Sequence, residues 1–417
     1  MRPFKFSRAS RLDSLAPSPF HVVVQAAKEE ERRGTEVLYL SVGEPGYHTP
    51  DHVKEAAVRA IRNNHTRYTA VEGTAEARQA IRDKLFRDNQ LTYDLDEITV
   101  TMGGVQAIFN LLMATVSEGD EVVLPAPFFT PYLSSIQLTG AKPVLLQTQQ
   151  AHGFVPQATA IEEVLTPRSR WLVLNSPSNP TGAVIDEGEL QRIAEVVKRH
   201  PNLMVLSDDM YEALRFDDGP FRNIVNVAPE LADRTVLLNG VSKTYSMTGW
   251  RFAYLAGPKP IISAVTEVSL SSTFSPNSIS QAAAIEALTG PQAEIRAQVD
   301  EYRARRDVLV EAMKVIPELP FTVPRATFFL FADCTAYLGL TDADEVRIES
   351  DLDLVLYILR KAGVALMPGS GFGMPGHIRI SFASSEETLR EAVTKLAAAL
   401  SDLKQAQARP LLASCTN

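Results

Sequence analysis

The sequence predicts an α/β fold in which a large, mostly parallel seven-stranded sheet is sandwiched by helices and joined to a smaller α+β domain. Three observations carry this. Between residues 97 and 257, seven short runs rich in Val, Leu and Ile recur, nearly continuous in apolar residues, as strands covered on both faces must be. Amphipathic runs of helical period lie between several of them, the pattern of parallel strands with crossover helices. After Pro276 the text changes to long helical stretches separated by only three strand-like runs.

In order, the seven runs are "ITVTM" from 98, "EVVLP" from 121, "KPVLLQT" from 142, "WLVLN" from 171, "LMVLSD" from 203, "TVLLN" from 235 and "RFAYLAG" from 251. The helical run "VQAIFNLLMATVSEG" is expected to end near Gly119, and "EGELQRIAEVVKRH" places Leu190, Ile193, Val196 and Val197 on one face. Beyond Pro276 come the helix "QVDEYRARRDVLVEAMKVI", the strand "FFLFADC", a helix near 351–362, the strands "VALMPG" and "HIRISFA", and a closing helix "SEETLREAVTKLAAALSDL". The expected organisation is an N-terminal segment, 1–45, packing with the small domain, then a large domain, 46–290, a small α+β domain, 291–404, and a polar tail, 405–417, that frays. There is no internal repeat and no low-complexity block.

Composition narrows the function. The 417 residues are 45% hydrophobic and 22% charged, ordinary for a globular protein. Forty-one basic against 50 acidic side chains give a net charge of −9, unsuited to nonspecific nucleic-acid binding. Two cysteines, Cys334 and Cys415, offer neither disulfide stapling nor a Cys-rich metal site. The start "MRPFKFSRASRLD" is basic without an apolar core, unlike a secretory signal, though its Arg and Ser content would also suit a mitochondrial presequence. No apolar run is long enough to span a membrane, and a cytoplasmic location is the expectation.

In open α/β sheets, ligands sit beyond the carboxyl ends of the strands. After the first run comes "GGVQAIFN", two glycines opening a helix, where backbone N–H groups favour anions. After the second comes "APFFTPY", aromatics held between prolines; after the fourth, "NSPSNPTG", which sets Asn179 in a constrained loop. After the fifth come Asp208 and, one helical turn on, Tyr211; after the sixth comes Lys243, in "NGVSKTYSMTGWR"; Arg251 opens the seventh. Each has a plainer reading alone: a turn, a packing corner, a helix cap for Asp208. Together they supply a phosphate cradle, an aromatic wall, hydrogen-bonding amide and phenol groups, a carboxylate, an amine and a second phosphate cation. Pyridoxal 5'-phosphate uses all of them: a lysine forms a Schiff base with its aldehyde, and a carboxylate keeps its ring nitrogen protonated. Such a lysine must be partly neutral, which a semi-buried position near cations favours.

From Leu12 to Leu403 the sequence resembles the fold-type-I, class I/II aminotransferases, nearest in look to the bacterial aspartate-aminotransferase-like branch. The motifs are "SVGEPGYHTP", "YTAVEGTAEAR", "TMGGVQAIF", "NSPSNPTG", "SDDMYEAL", "NGVSKTYSMTGWR" and "HIRISFA". The resemblance implies a transaminase that moves an amino group between an L-amino acid and a 2-oxo acid by a ping-pong route. It implies Lys243 as the Schiff-base and proton-shuttling lysine, Asp208 at the pyridine nitrogen, and Tyr211 and Asn179 on the ring oxygen. The Gly104 and Val105 amides and Arg251 would hold the phosphate, and Phe129 would stack on the ring. Arg379 would grip the substrate α-carboxylate with help from the Gly43 backbone. Tyr68 would reach the phosphate of a neighbouring subunit, implying a homodimer with shared sites.

Three positions depart from the pattern. Val105 stands where aspartate-specific relatives tend to carry lysine, Phe20 replaces a hydroxyl within the "APSPF" segment at 16–20, and Gly46 replaces an aspartate. The expectation is a more apolar pocket and a neutral, aromatic or unusual amino acid as substrate. Two other readings stand beside transamination: elimination, replacement, cyclisation or oxidation on the same fold, and a noncatalytic regulator. Intact Lys243, Asp208 and Arg379, and the absence of an attached DNA-binding module, argue against the regulator. A nicotinamide-binding reading fails for want of a G-x-G-x-x-G after an early strand.

Overall fold

The structure, a computed structural model, describes residue 4, residues 6–15 and residues 17–414, with side chains described as far as residue 406. Twelve strands are described: β1 (Leu38–Tyr39), β2 (Ile98–Thr101), β3 (Glu121–Ala126), β4 (Lys142–Gln147), β5 (Ser169–Asn175), β6 (Met204–Asp208), β7 (Thr235–Gly240), β8 (Ala253–Ala256), β9 (Phe329–Asp333), β10 (Val364–Ala365), β11 (Met367–Pro368) and β12 (His377–Ser381). Seven of them form one sheet in the order β2-β8-β7-β6-β5-β3-β4. Strands β3 to β7 pair in parallel, whereas β8 runs antiparallel to both β7 and β2.

The expected strands are all present, and both faces of the sheet are covered. On β5, Trp171 and Val173 join one apolar core while Leu172 and Leu174 join the other, so alternate residues of one strand serve two cores. Helix Glu187–Arg199 buries Leu190, Ile193, Val196 and Val197, and the Asp186 side chain accepts the Glu189 N–H at its start. The connection from β7 to β8 contains only a short 3-10 turn, Thr248–Trp250, rather than a crossover helix, so β8 returns antiparallel. This places the start of β8 at the same end of the sheet as the carboxyl ends of β2, β3, β5, β6 and β7.

The smaller layer is antiparallel, β11-β12-β9, with β1 paired in parallel to β10. The N-terminal helix Pro19–Arg32 packs on helix Asp351–Ala362, which starts with a Ser350–Asp353 capping box and ends at Gly363, φ 65°.

Local details differ from the sequence reading. "VALMPG" is two strands, one paired to β1 and the other to β12, where one strand is expected. The helix at 104 ends at Thr115 rather than near Gly119, because Val116 is extended and Asp120 caps a turn by accepting the Ser117 N–H. Arg251 does not open a strand: its backbone is left-handed, φ 57°, and β8 begins at Ala253. Tyr211 follows β6 in a turn, not in a helix. The closing helix, Glu386–Ser414, continues through most of the expected tail. Ala16 of the "APSPF" segment, the first three residues, Lys5 and Cys415 lie outside the described residues; Cys334 is buried and unpaired. No helix of the described residues is long and apolar enough to cross a membrane.

Candidate functional site

The strand-end loops and the small layer enclose a cavity of about 560 Å³. Gly43, Gly104, Val105, Phe129, Asn179, Asp208, Tyr211, Lys243, Arg251 and Arg379 all line it, so the structure brings together ten of the eleven residues to which the resemblance gives a site role. Tyr68 is the exception. It is 85% exposed, lies edge-on to Phe274 at 5.1 Å and does not line the cavity.

Lys243 sits three residues beyond β7, partly buried, and its Nζ donates to the Gly43 carbonyl at 2.6 Å. Burial above all, then the positive charge of Arg379, lowers its ammonium to about 8, which leaves a minority of it neutral near physiological pH. No carboxylate pairs with it among the described residues.

Asp208 ends β6 and is buried. The Tyr132 hydroxyl donates to its Oδ2, and the Met210 N–H donates to Oδ1 at 3.1 Å. Burial pushes the carboxyl up to about 6, opposed by those two donors and by the charge of Lys243. It forms no ion pair among the described residues: a buried acid faces the cavity with Lys243 acting on it only from beyond contact distance. Burial also raises the Tyr211 phenol above its usual range, and that hydroxyl has no hydrogen-bond partner among the described residues. The adjacent Asp209 is different: its carboxylate accepts from Ser207 Oγ at 2.7 Å and Asn223 Nδ2 at 2.8 Å, and it does not line the cavity.

The anion cradle is the start of helix Gly104–Thr115, where the first backbone N–H groups lack intrahelical acceptors. Gly103 adopts φ 95°, and a Cβ there would lie 2.1 Å from Arg251 Nη2, so glycine is what lets this guanidinium reach the cradle. Arg251 Nη1 is anchored to the Thr248 carbonyl at 2.8 Å. Ser242 lines the cavity beside it.

Arg379, on β12, is buried among apolar groups. Its guanidinium carbon lies over the Phe329 ring, 4.2 Å from the centroid, and over the Phe372 ring, 4.9 Å from the centroid. Nη1 donates to Asn179 Oδ1 at 3.0 Å and Nη2 to the Ser41 carbonyl at 2.8 Å, while the buried Nε has no partner. Burial lowers its pKa to about 10. No protein carboxylate pairs with it among the described residues, so no ion pair there accounts for a buried guanidinium at this position.

Sequence reasoning missed Tyr132, whose hydroxyl fixes the Asp208 carboxylate, although "APFFTPY" contains it. It also missed Asn175, whose side chain donates to the Asp208 carbonyl at 3.1 Å and accepts the Asn179 N–H at 2.9 Å, tying two site loops together. The two phenylalanines against Arg379 carry no local signal in the sequence.

This donor set fits pyridoxal 5'-phosphate. A helix start and Arg251 suit its phosphate, Phe129 its ring face, the unpaired buried Asp208 its ring nitrogen, Tyr211 and Asn179 its ring oxygen, and Lys243, whose ammonium burial destabilises, its aldehyde.

The chain matches the family Aminotransferase class I and II over residues 35–396. It is 42% identical over 394 residues to an aspartate aminotransferase of Rhizobium meliloti (strain 1021), covering 94% of this chain and 96% of that one. A crystal structure of the aspartate aminotransferase from Rhizobium meliloti superposes with a TM-score of 0.92 at 42% identity, covering 95% and 100% of the two chains. An aromatic aminotransferase from Pyrococcus horikoshii OT3 superposes with a TM-score of 0.83 at 32% identity, over 91% and 99%. The matched region contains the entire strand-end site, and the chain belongs to the class I and II aminotransferases as a pyridoxal 5'-phosphate-dependent transaminase of fold type I in the aspartate-aminotransferase-like branch.

Proposed function

We propose that this transaminase works by a ping-pong route between an L-amino acid and a 2-oxo acid, with Lys243 as its proton-moving group and Arg379 as its α-carboxylate anchor. The observation that supports this is the convergence, in one cavity, of a lysine without a carboxylate partner and a buried arginine without one. Pyridoxal 5'-phosphate, when bound, supplies an aldehyde for amines and an electron-poor ring that accepts the electron pair released at the substrate Cα.

The chain's own groups do the rest. The Arg379 fork faces the α-carboxylate, a bidentate match that lysine cannot copy. Lys243 Nζ, in its neutral form, takes the proton from the substrate Cα and delivers it again in the course of the exchange. Asp208 holds a positive charge opposite its buried carboxylate, and Tyr132 keeps that carboxylate aimed. Phe129 and Tyr211 wall the reacting centre against water.

One equivalent of 2-oxo acid should be released per site when the loaded protein meets an amino acid without an acceptor, and release should stop until a 2-oxo acid is added. Continuous ammonia or product release without an acceptor would instead mark elimination chemistry and overturn the reading.

The assembly follows from Tyr68. Tyr68, Val105, Met113, Leu270 and Phe274 are large apolar groups left 43–85% exposed, and helix Gly104–Thr115 packs beside helix Lys259–Ser272. This supports a homodimer through that face, with Tyr68 crossing to the phosphate cradle of the second copy. Both Lys243→Ala and Tyr68→Ala should be strongly impaired alone. Mixed and re-equilibrated, they should recover about a quarter of the wild-type sites, because half the dimers are hybrids with one undamaged site each. Sedimentation showing a fully active monomer sinks this proposal.

A further inference from the structure

We propose that the site takes amino acids with neutral, apolar side chains, aromatic or large aliphatic, and that Phe20 and Val24 of the N-terminal helix are specificity-determining residues. The inference rests on the reading of Arg379 as the α-carboxylate anchor and Lys243 as the group facing the substrate amine.

Both anchors are tied to one short segment. Arg379 donates to the Ser41 carbonyl at 2.8 Å and Lys243 to the Gly43 carbonyl at 2.6 Å. An amino acid spanning the two anchors lies along residues 41–43, and its side chain meets the surfaces beside that segment. Those surfaces are Val42, Tyr39 and, from helix Pro19–Arg32, Phe20, Val23 and Val24. Val24 and Val42 each remain 39% exposed, so they present apolar area to the cavity rather than to the core.

The wall is preformed. The Phe20 ring lies 4.8 Å from that of Phe372, and Phe372 lies 4.9 Å from the Arg379 guanidinium. A Cβ on Gly371 would come within 2.6 Å of the Phe20 ring, so glycine at 371 is what lets Phe20 seat there. Phe20 therefore continues, without a gap, the aromatic surface that grips Arg379.

Charge points the same way. Among the described residues lining the cavity, the lysine and arginine side chains are Lys243, Arg251 and Arg379, and each has a place in the reading above. The carboxylates are Glu44, whose Oε1 accepts from Thr248 Oγ1 at 3.1 Å, and the buried Asp208. A second carboxylate on the substrate would have no cation of this chain to pair with. It would face apolar side chains and share the mouth with Glu44.

The test uses the loaded enzyme and a shared acceptor with an uncharged side chain, pyruvate. The panel is phenylalanine, leucine, aspartate and glutamate. The wild type should favour phenylalanine or leucine over aspartate in kcat/KM by at least about tenfold, the scale on which an apolar pocket discriminates. Phe20→Ser should erode that preference about tenfold, and Phe20→Leu should keep most of it. Should Phe20→Ser misfold, Val24→Ser reads out the same wall. Calorimetry with nonreacting analogues gives an independent measure: 3-phenylpropionate should bind the wild type more tightly than succinate, and the serine variants should narrow that gap. A wild type that prefers aspartate, or serine variants that lower all four substrates by one common factor, would overturn the specificity while leaving transamination standing. Failure of all four amino acids to release a 2-oxo acid would overturn the underlying reading and this inference with it.

Discussion

Lys243→Ala should lower kcat by about 10⁴-fold, the upper end of the range for loss of a positioned proton-transfer group, without unfolding the protein. The side chain makes a single hydrogen bond, to the Gly43 carbonyl, at the edge of a cavity. Its removal also takes away a cation that burial disfavours. Reduction of the loaded wild type with borohydride, followed by peptide mapping, should tag Lys243. The other lysine that burial lowers to about 8 is Lys84, and it makes a useful internal contrast. Lys84 is ion-paired with Glu212, donates to Asn89 Oδ1 at 2.7 Å and does not line the cavity, so it should not be tagged. The pH dependence has a definite sign. Because the pKa of Lys243 is lowered to about 8, the amine is protonated and non-nucleophilic below that value and free above it. The rate at which cofactor-free protein takes up pyridoxal 5'-phosphate covalently should therefore rise through about pH 8 and then level. A tag on another lysine, or a Lys243→Ala protein with more than a small fraction of wild-type turnover, would falsify the assignment.

Why Lys243 could be picked out from sequence is a matter of local physics. A strand buried on both faces, such as β7, leaves an unbroken apolar run, and the carboxyl end of such a run is where a ligand can sit. Asp208, Asn179, Lys243 and the Gly103–Gly104 pair all announce themselves by that position. Long-range contacts leave no comparable trace. Tyr132 acts on a carboxylate 76 positions away, and nothing in "TPYLSS" distinguishes it from a packing residue. The packing of Arg379 against Phe329 and Phe372 depends on how β9 and the turn before β12 are brought together. The left-handed backbone of Arg251 was hidden because it is a nonglycine residue in a conformation that sequence normally reserves for glycine. The split of "VALMPG" was hidden because one continuous apolar run has no periodicity to mark where pairing passes from β1 to β12.

Asp208→Asn should separate function from stability more sharply than any other substitution in the site. The amide is nearly isosteric, and its oxygen can still accept from the Tyr132 hydroxyl or the Met210 N–H, so the loop should hold its shape. It lacks the charge that would hold the ring nitrogen of the cofactor protonated, and kcat should fall by about 10²- to 10³-fold, the usual cost of losing one preorganised electrostatic contact. Stability should move the other way. Burial raises the carboxyl from its ordinary 3.8 to about 6, so between about pH 4 and pH 6 the unfolded chain gives up this proton before the folded one does. Cofactor-free wild type should lose on the order of 3 kcal/mol across that window and not regain it at higher pH. The asparagine variant has no such loss, and at pH 7.5 its cofactor-free form should resist denaturant at least as well as wild type. Loading with the cofactor should reverse the comparison, because only the carboxylate gains a cationic partner. Denaturation curves with and without pyridoxal 5'-phosphate, alongside kcat, decide it. A variant with near-normal turnover would reduce Asp208 to a structural acceptor for Tyr132. Asp209 could not then take over, because both of its oxygens are already bound to Ser207 and Asn223 on the side of the loop away from the cavity.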